Sequence, residues 1–153
     1  MSIQNILDRN GREVVTISAD DTVRSAVDRM RRHGIGALVV KSGDAITGVL
    51  SEPDVVNAIS QHGERALSMM ALDVAPHTII TIDPADTLKR AMTLMTDHHA
   101  RHLLVIVEGK LVGIVSIGDV VKHRLEDLET ESNVMRDAYI AASWTRSHGE
   151  VRW

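Results

Sequence analysis

Two short stretches carry the side chains best suited to holding a ligand. GVLSEPD (48–54) and GIVSIGD (113–119) each place a serine three residues before an aspartate, behind a glycine and two apolar residues. At a helix start such a pair serves two chemistries. The serine caps free backbone N–H groups, worth about 1 kcal/mol, and the terminus, with its amides and positive dipole end, can receive a phosphate. The aspartate favours the same dipole end by about 0.3–1 kcal/mol. Beside a bound phosphate its carboxylate can also accept two sugar hydroxyls, the arrangement used by dinucleotide-binding folds. Arg101 and His102 add a guanidinium that forks onto phosphate oxygens and a ring that donates a further hydrogen bond.

Other chemistries find less support. There is no cysteine, hence no disulfide or thiolate, and no G-x-S-x-G elbow, G-x-x-x-x-G-K-[ST] loop or H-E-x-x-H helix. No histidine is placed beside either serine, so no nucleophile has its base, and a non-enzymatic protein is expected. DHHARH (97–102) looks metal-like, but its pattern puts His98 at a helix end and His102 in a strand, so the ligands need not converge. A polar helix terminus accounts for His98, as for His33.

A formal charge of −4 gives no basic field to gather nucleic acid or anionic lipid, and 2% aromatics provide no base-stacking platform. No apolar run approaches the roughly 18–20 residues that span a bilayer. The N-terminus MSIQNILDRN has neither a basic nor an apolar leader region, so the expected location is cytoplasmic, with neither nucleic acid nor membrane as partner.

The elements that must position the two motifs form a repeat. TISADDTVRSAVDRMRRHGIGALVVKSGDAITGVLSEPDVV (16–56) aligns without a gap on TIDPADTLKRAMTLMTDHHARHLLVIVEGKLVGIVSIGDVV (81–121). In each copy a β-branched run (VVTI, 14–17; IITI, 79–82) precedes a helical apolar pattern through Val23, Ala26, Val27 and Met30, or Leu88, Ala91, Met92 and Met95. Thr22 and Thr87 are N-cap candidates and Gly34 a helix stop. Two strands joined through Gly43 or Gly109 follow, and then a second helix opened by the serine. Each copy reads β-α-β-β-α, and two copies packed face to face are the stable body for an α+β chain of this length. The divisions expected are repeat 1 with an N-terminal helix (1–61), a connector (62–78), repeat 2 with an extended last helix (79–140) and a frayed tail (141–153). Apolar residues keep helical spacing along 122–143 beyond what one repeat needs, which predicts a homodimer.

A doubled G-h-h-S-x-x-D in doubled β-α-β-β-α units, with ARHLLVIVEGKLVGIVSIGDVV in the second, resembles the tandem cystathionine-β-synthase (CBS) domain family, specifically small stand-alone bacterial proteins made of one CBS pair. The resemblance covers about residues 1–140. It implies two repeats related by pseudo-twofold symmetry, two clefts binding adenosine nucleotides (AMP, ATP or NAD(H)), dimerisation and a regulatory role toward some target protein. It also implies site residues: Ser51 with Asp54, Ser116 with Asp119, Thr16 and Thr81 near the adenine, and the adjoining Ile17, Gly36, Ala37, Arg101, His102 and Leu103. The alternative is a ligand-free interaction scaffold.

The copies differ. Pro53 removes an N–H and Glu52 adds a negative charge at the first motif, whereas Arg101-His102 in the second copy replaces Gly36-Ala37. Aligned copy by copy, Arg101 falls in with Asp119, and the second motif is expected to be the better anion site. Gly36 and Ala37 leave room for a bulkier ring at the first.

Overall fold

The computed structural model describes residues 1–11 and 13–148. Its elements run α1 (Ile3–Asn10), β1 (Thr16–Ser18), α2 (Val23–His33), β2 (Ala37–Ser42), β3 (Ala45–Ser51), α3 (Glu52–His62), a 3₁₀ segment (Gly63–Ser68), α4 (Ala71–Val74), β4 (Thr81–Ile82), α5 (Leu88–Asp97), β5 (His102–Val107), β6 (Lys110–Ser116) and α6 (Ile117–His148). This is the expected α+β architecture of two β-α-β-β-α units with an extended last helix.

Local chemistry accounts for most boundaries. Thr22 and Thr87 accept from the amides of Ser25 and Arg90 at 3.2 and 3.1 Å. Gly34 ends α2 in the left-handed region at φ 61°, where a Cβ would be unfavourable. Both units build the same sheet, a first strand parallel to the second and a second antiparallel to the third. The hairpins carry matching bulges, at Val40/Lys41 and Val105/Ile106. The first strands are shorter than their β-branched runs, although Val15 and Ile80 still offer carbonyls to Val39 and Leu104.

Packing exchanges pieces between the units. α1 precedes repeat 1 in the chain, yet Ile3, Ile6 and Leu7 are buried in the core of repeat 2 with Leu103, Val105 and Val115. Ala71 and Ala75 of the connector complete the core of repeat 1 with Leu38, Val40 and Leu50. The motif glycines make these crossings possible. A Cβ on Gly48 would stand 2.4 Å from the carbonyl oxygen of Pro76, and one on Gly113 would stand 2.4 Å from Cδ2 of Leu7.

α6 continues through His148 as one helix, so 141–148 extend it where the sequence suggests a frayed tail; 149–153 lie outside the described residues. Val120 and His123 are buried against the body, whereas every residue from 128 to 142 is exposed. No helix among the described residues is long and apolar enough to cross a membrane.

Candidate functional site

Both motifs fold into the same helix start. Ser51 ends β3 and caps α3; its N–H and Oγ both donate to Asp54 Oδ2, at 2.8 and 2.7 Å. In the second copy the N–H and Oγ of Ser116 donate to Asp119 Oδ2 at 2.9 and 2.8 Å, and the Asp119 amide donates back to Ser116 Oγ at 3.2 Å. The second oxygens differ. Asp119 Oδ1 accepts from Asn10 Nδ2 at 2.9 Å, whereas Asp54 Oδ1 has no partner among the described residues.

The helix ends offer fewer amides than the sequence suggests. Glu52 N–H is spent on the Gly36 carbonyl and Ile117 N–H on the Arg101 carbonyl. With Pro53 next, the first two positions of α3 have nothing to give an anion. The carboxylate of Glu52 lies beside Gly36, its Oε1 3.6 Å from where a Gly36 Cβ would stand, in a groove with Val27, Met30 and Val55. Its charge still reaches the cleft, where it acts on His102.

A cavity of about 290 Å³ lies between the repeats. One wall is Val49, Ser51, Pro53 and Asp54 of repeat 1; the other is Ile80, His98, His99, Arg101 and His102 of repeat 2, with Pro76 and Thr78 of the connector. Arg101 and His102 thus face Ser51 and Asp54, whereas alignment of the copies groups them with Ser116 and Asp119. Asp119 is not among the lining residues. It still acts on His102, whose pKa is lowered by burial and by the Arg101 charge, while Asp119 and Asp54 partly oppose that shift.

Of the remaining expected site residues, Thr16 and Thr81 open β1 and β4, half-buried and exposed respectively. The Thr16 carbonyl accepts from Arg29. Ile17 and Leu103 are core side chains, 1% and 0% exposed. Gly36 and Ala37 lead into β2, Ala37 buried in register with Ser51, while Gly36 lines an open groove with Val27, Met30, Glu52 and Val55. His98, His99 and Thr78 enter the cleft without having been singled out for ligand binding. The usable signal is at His99, which takes φ 51° where the first copy has Gly34. A side chain in that region is uncommon and points to a local constraint. Asn10 could not be found from the motifs, because it comes from a helix outside the repeat alignment. No group of three or more His, Asp or Glu among the described residues could hold a metal ion.

The CBS domain family model matches residues 7–61 and 72–126. The chain is a tandem CBS-domain protein. It is 37% identical over 132 residues to the mitochondrial CBS domain-containing protein CBSX3 of Arabidopsis thaliana, covering 83% of this chain and 64% of that one. It therefore spans less than two thirds of that relative's length. Among solved structures, a CBS-domain containing protein from Agrobacterium tumefaciens superposes with TM-score 0.79 at 34% identity, covering 81% of this chain and 99% of that one. A CBS domain protein from Pyrobaculum aerophilum, solved in complex with AMP, superposes with TM-score 0.68 at 26% identity, covering 78% and 89%. The family is one of regulatory and signal-transduction proteins.

Proposed function

We propose that this CBS pair is a non-catalytic regulatory module that binds an adenosine nucleotide in the cleft between its repeats, and so reports energy or redox state to a target protein. The observation that carries the reading is the meeting of Asp54, with one carboxylate oxygen unpartnered among the described residues, and Arg101 with His98, His99 and His102 across one cavity. Asp54 Oδ1 would accept a ribose hydroxyl. The phosphate would be met by the side chains of repeat 2, since α3 has no amides to spare. The AMP complex of the Pyrobaculum relative supports the ligand class. A cavity of about 290 Å³ is at the lower end of the roughly 300–1,000 Å³ of ligand pockets, which favours AMP or one nucleotide half over a whole NAD(H). The module would act in the cytoplasm as a homodimer formed through its exposed helices.

Calorimetric titration with AMP, ATP, NAD, NADH and S-adenosylmethionine tests this. Saturable binding of at least one adenosine nucleotide is expected. A ligand-free scaffold is the second reading, favoured by the fact that capping boxes and close-packed glycines explain every motif residue without a ligand; flat traces throughout would establish it.

A further inference from the structure

From 128 to 142, α6 has none of the burial among the described residues that normally stabilises a helix. Residues 128–142 are all exposed, and isolated helices of about 12–15 residues are marginal in water. Along this stretch Val121, Leu125, Leu128, Met135 and Tyr139 recur at alternating spacings of four and three residues, the a/d repeat of a coiled coil, with Ser132 and Ala142 filling the same stripe. Leu125 is 55% exposed, and Met135 and Tyr139 are each 72% exposed. The stripe lies away from Val120 and His123, which face the body, and it starts in an apolar groove lined by Ile117, Val121 and Leu125.

The flanking charges identify the occupant. With Leu125 and Tyr139 at a and Val121, Leu128 and Met135 at d, the e positions are Lys122, Glu129 and Arg136, and the g positions include Arg124 and Glu131. Arg124 and Glu131 of one chain approach to 4.0 Å, which places both on one edge of the helix. In a parallel pair each g residue faces the e residue five positions on in the other helix. Arg124 then meets the partner's Glu129, and Glu131 meets the partner's Arg136, on both sides of the seam. In an antiparallel pair with the same stripe overlapped, e faces e and g faces g: Lys122 meets Arg136, Glu129 meets Glu129, and Glu131 meets Glu131. Every one of those contacts is between like charges.

We infer that the projecting half of α6 pairs with α6 of a second copy as a parallel, in-register two-stranded coiled coil that holds both CBS bodies at the same end. This rests on the self-association proposed above and adds its orientation and the residues that select it. Val134 and Ile140 lie off the seam, and nothing in the structure explains their exposure.

The absence of cysteine makes the test direct. Leu128→Cys and Ala142→Cys, made separately in the full chain, should each form disulfide-linked dimers of like with like under mild oxidation, because matching d positions in a parallel pair fall within the usual Cα separation of about 4.4–6.8 Å. A mixture of Val121→Cys and tagged Tyr139→Cys should give no mixed dimer, since those layers are about 27 Å apart in a parallel pair at 1.5 Å per residue. Arg124→Glu should weaken the dimer several-fold, and Arg124→Glu with Glu129→Arg should restore it to within about twofold, as expected for exposed ion pairs. Circular dichroism checks that each variant keeps its fold. A mixed Val121–Tyr139 dimer, with no like-with-like product at 128 or 142, would overturn the parallel arrangement and leave the dimer standing. Light scattering that shows only a 16.8 kDa species at micromolar concentration would overturn the self-association itself.

Discussion

Asp54→Asn separates ligand binding from helix capping at the proposed site. The protein already shows that asparagine can complete this box: at α1, Ser2 N–H and Oγ donate to Asn5 Oδ1 at 2.8 and 2.9 Å, matching the Ser51–Asp54 pair. The substituted side chain should therefore keep the helix start, while its outward atom changes from an acceptor to an N–H donor. A hydroxyl bonded to a charged acceptor contributes about 1.5–3 kcal/mol, so AMP affinity should fall roughly 10- to 150-fold. The melting temperature without ligand should scarcely move. Asp119→Asn is the comparison, because its outer oxygen already binds Asn10 and it is not part of the cleft wall; AMP affinity should change by no more than about threefold, under 1 kcal/mol. Isothermal titration of both variants, with thermal melts of the unliganded proteins, reads both effects. The reasoning is refuted if Asp119→Asn weakens AMP more than Asp54→Asn does, or if both leave it unchanged.

Arg101→Ala should lower AMP affinity roughly tenfold or more through loss of a charge-assisted phosphate contact, yet leave adenosine binding nearly unaltered; equal losses for both ligands would exclude a phosphate role. Gly48→Ala should destabilise the fold more than Gly113→Ala, by about 1–3 kcal/mol as for other overpacked sites, because the obstructing atom at Gly48 is a backbone carbonyl and at Gly113 the end of a leucine side chain; urea midpoints rank the two. Burial holds the His102 pKa below its usual 6.5, so the unfolded chain binds more protons in that window and stability should fall as pH drops through 6.5. His102→Gln should flatten that part of a stability–pH curve, and an unchanged slope would contradict it. His99→Gly should raise stability, by about 1 kcal/mol, by relieving a left-handed residue, while weakening AMP binding through the lost ring in the cleft wall; a lower melting temperature would show that the side chain is held there by packing.

What the sequence makes legible is whatever depends on neighbours along the chain. Thr22, Thr87 and Gly34 mark helix ends by local hydrogen bonding and backbone freedom, the hairpins turn at Gly43 and Gly109, and the Ser–Asp boxes form within three residues. The cleft is a different kind of object. Aligning a repeat with itself sets Arg101 on Gly36 and Asp119 on Asp54, so it groups side chains that occupy equivalent places. A pseudo-twofold interface instead brings non-equivalent places into contact, and so Arg101 faces Asp54. The destination of α1 is hidden for the same reason. Its apolar side, Ile3, Ile6 and Leu7, is evident, but which sheet it covers is decided by Gly113 accepting Leu7 and Gly48 accepting Pro76.

Under the proposed function, the same geometry would leave one duplicated unit with unequal clefts. Applying the repeat offset to the repeat 2 wall of the cleft sets Gly36 and Ala37 in place of Arg101 and His102, and Glu13 in place of Thr78. On that reading, the side chains that would meet an anion have no counterpart in the first copy, and Asn10 covers the second carboxylate oxygen of Asp119. Serine and aspartate persist there because their capping bonds stabilise the helix start with or without a ligand. A motif that serves folding and binding together can lose its second role without leaving a trace in its own residues. The difference between the two G-h-h-S-x-x-D sites must therefore be sought in what each one faces.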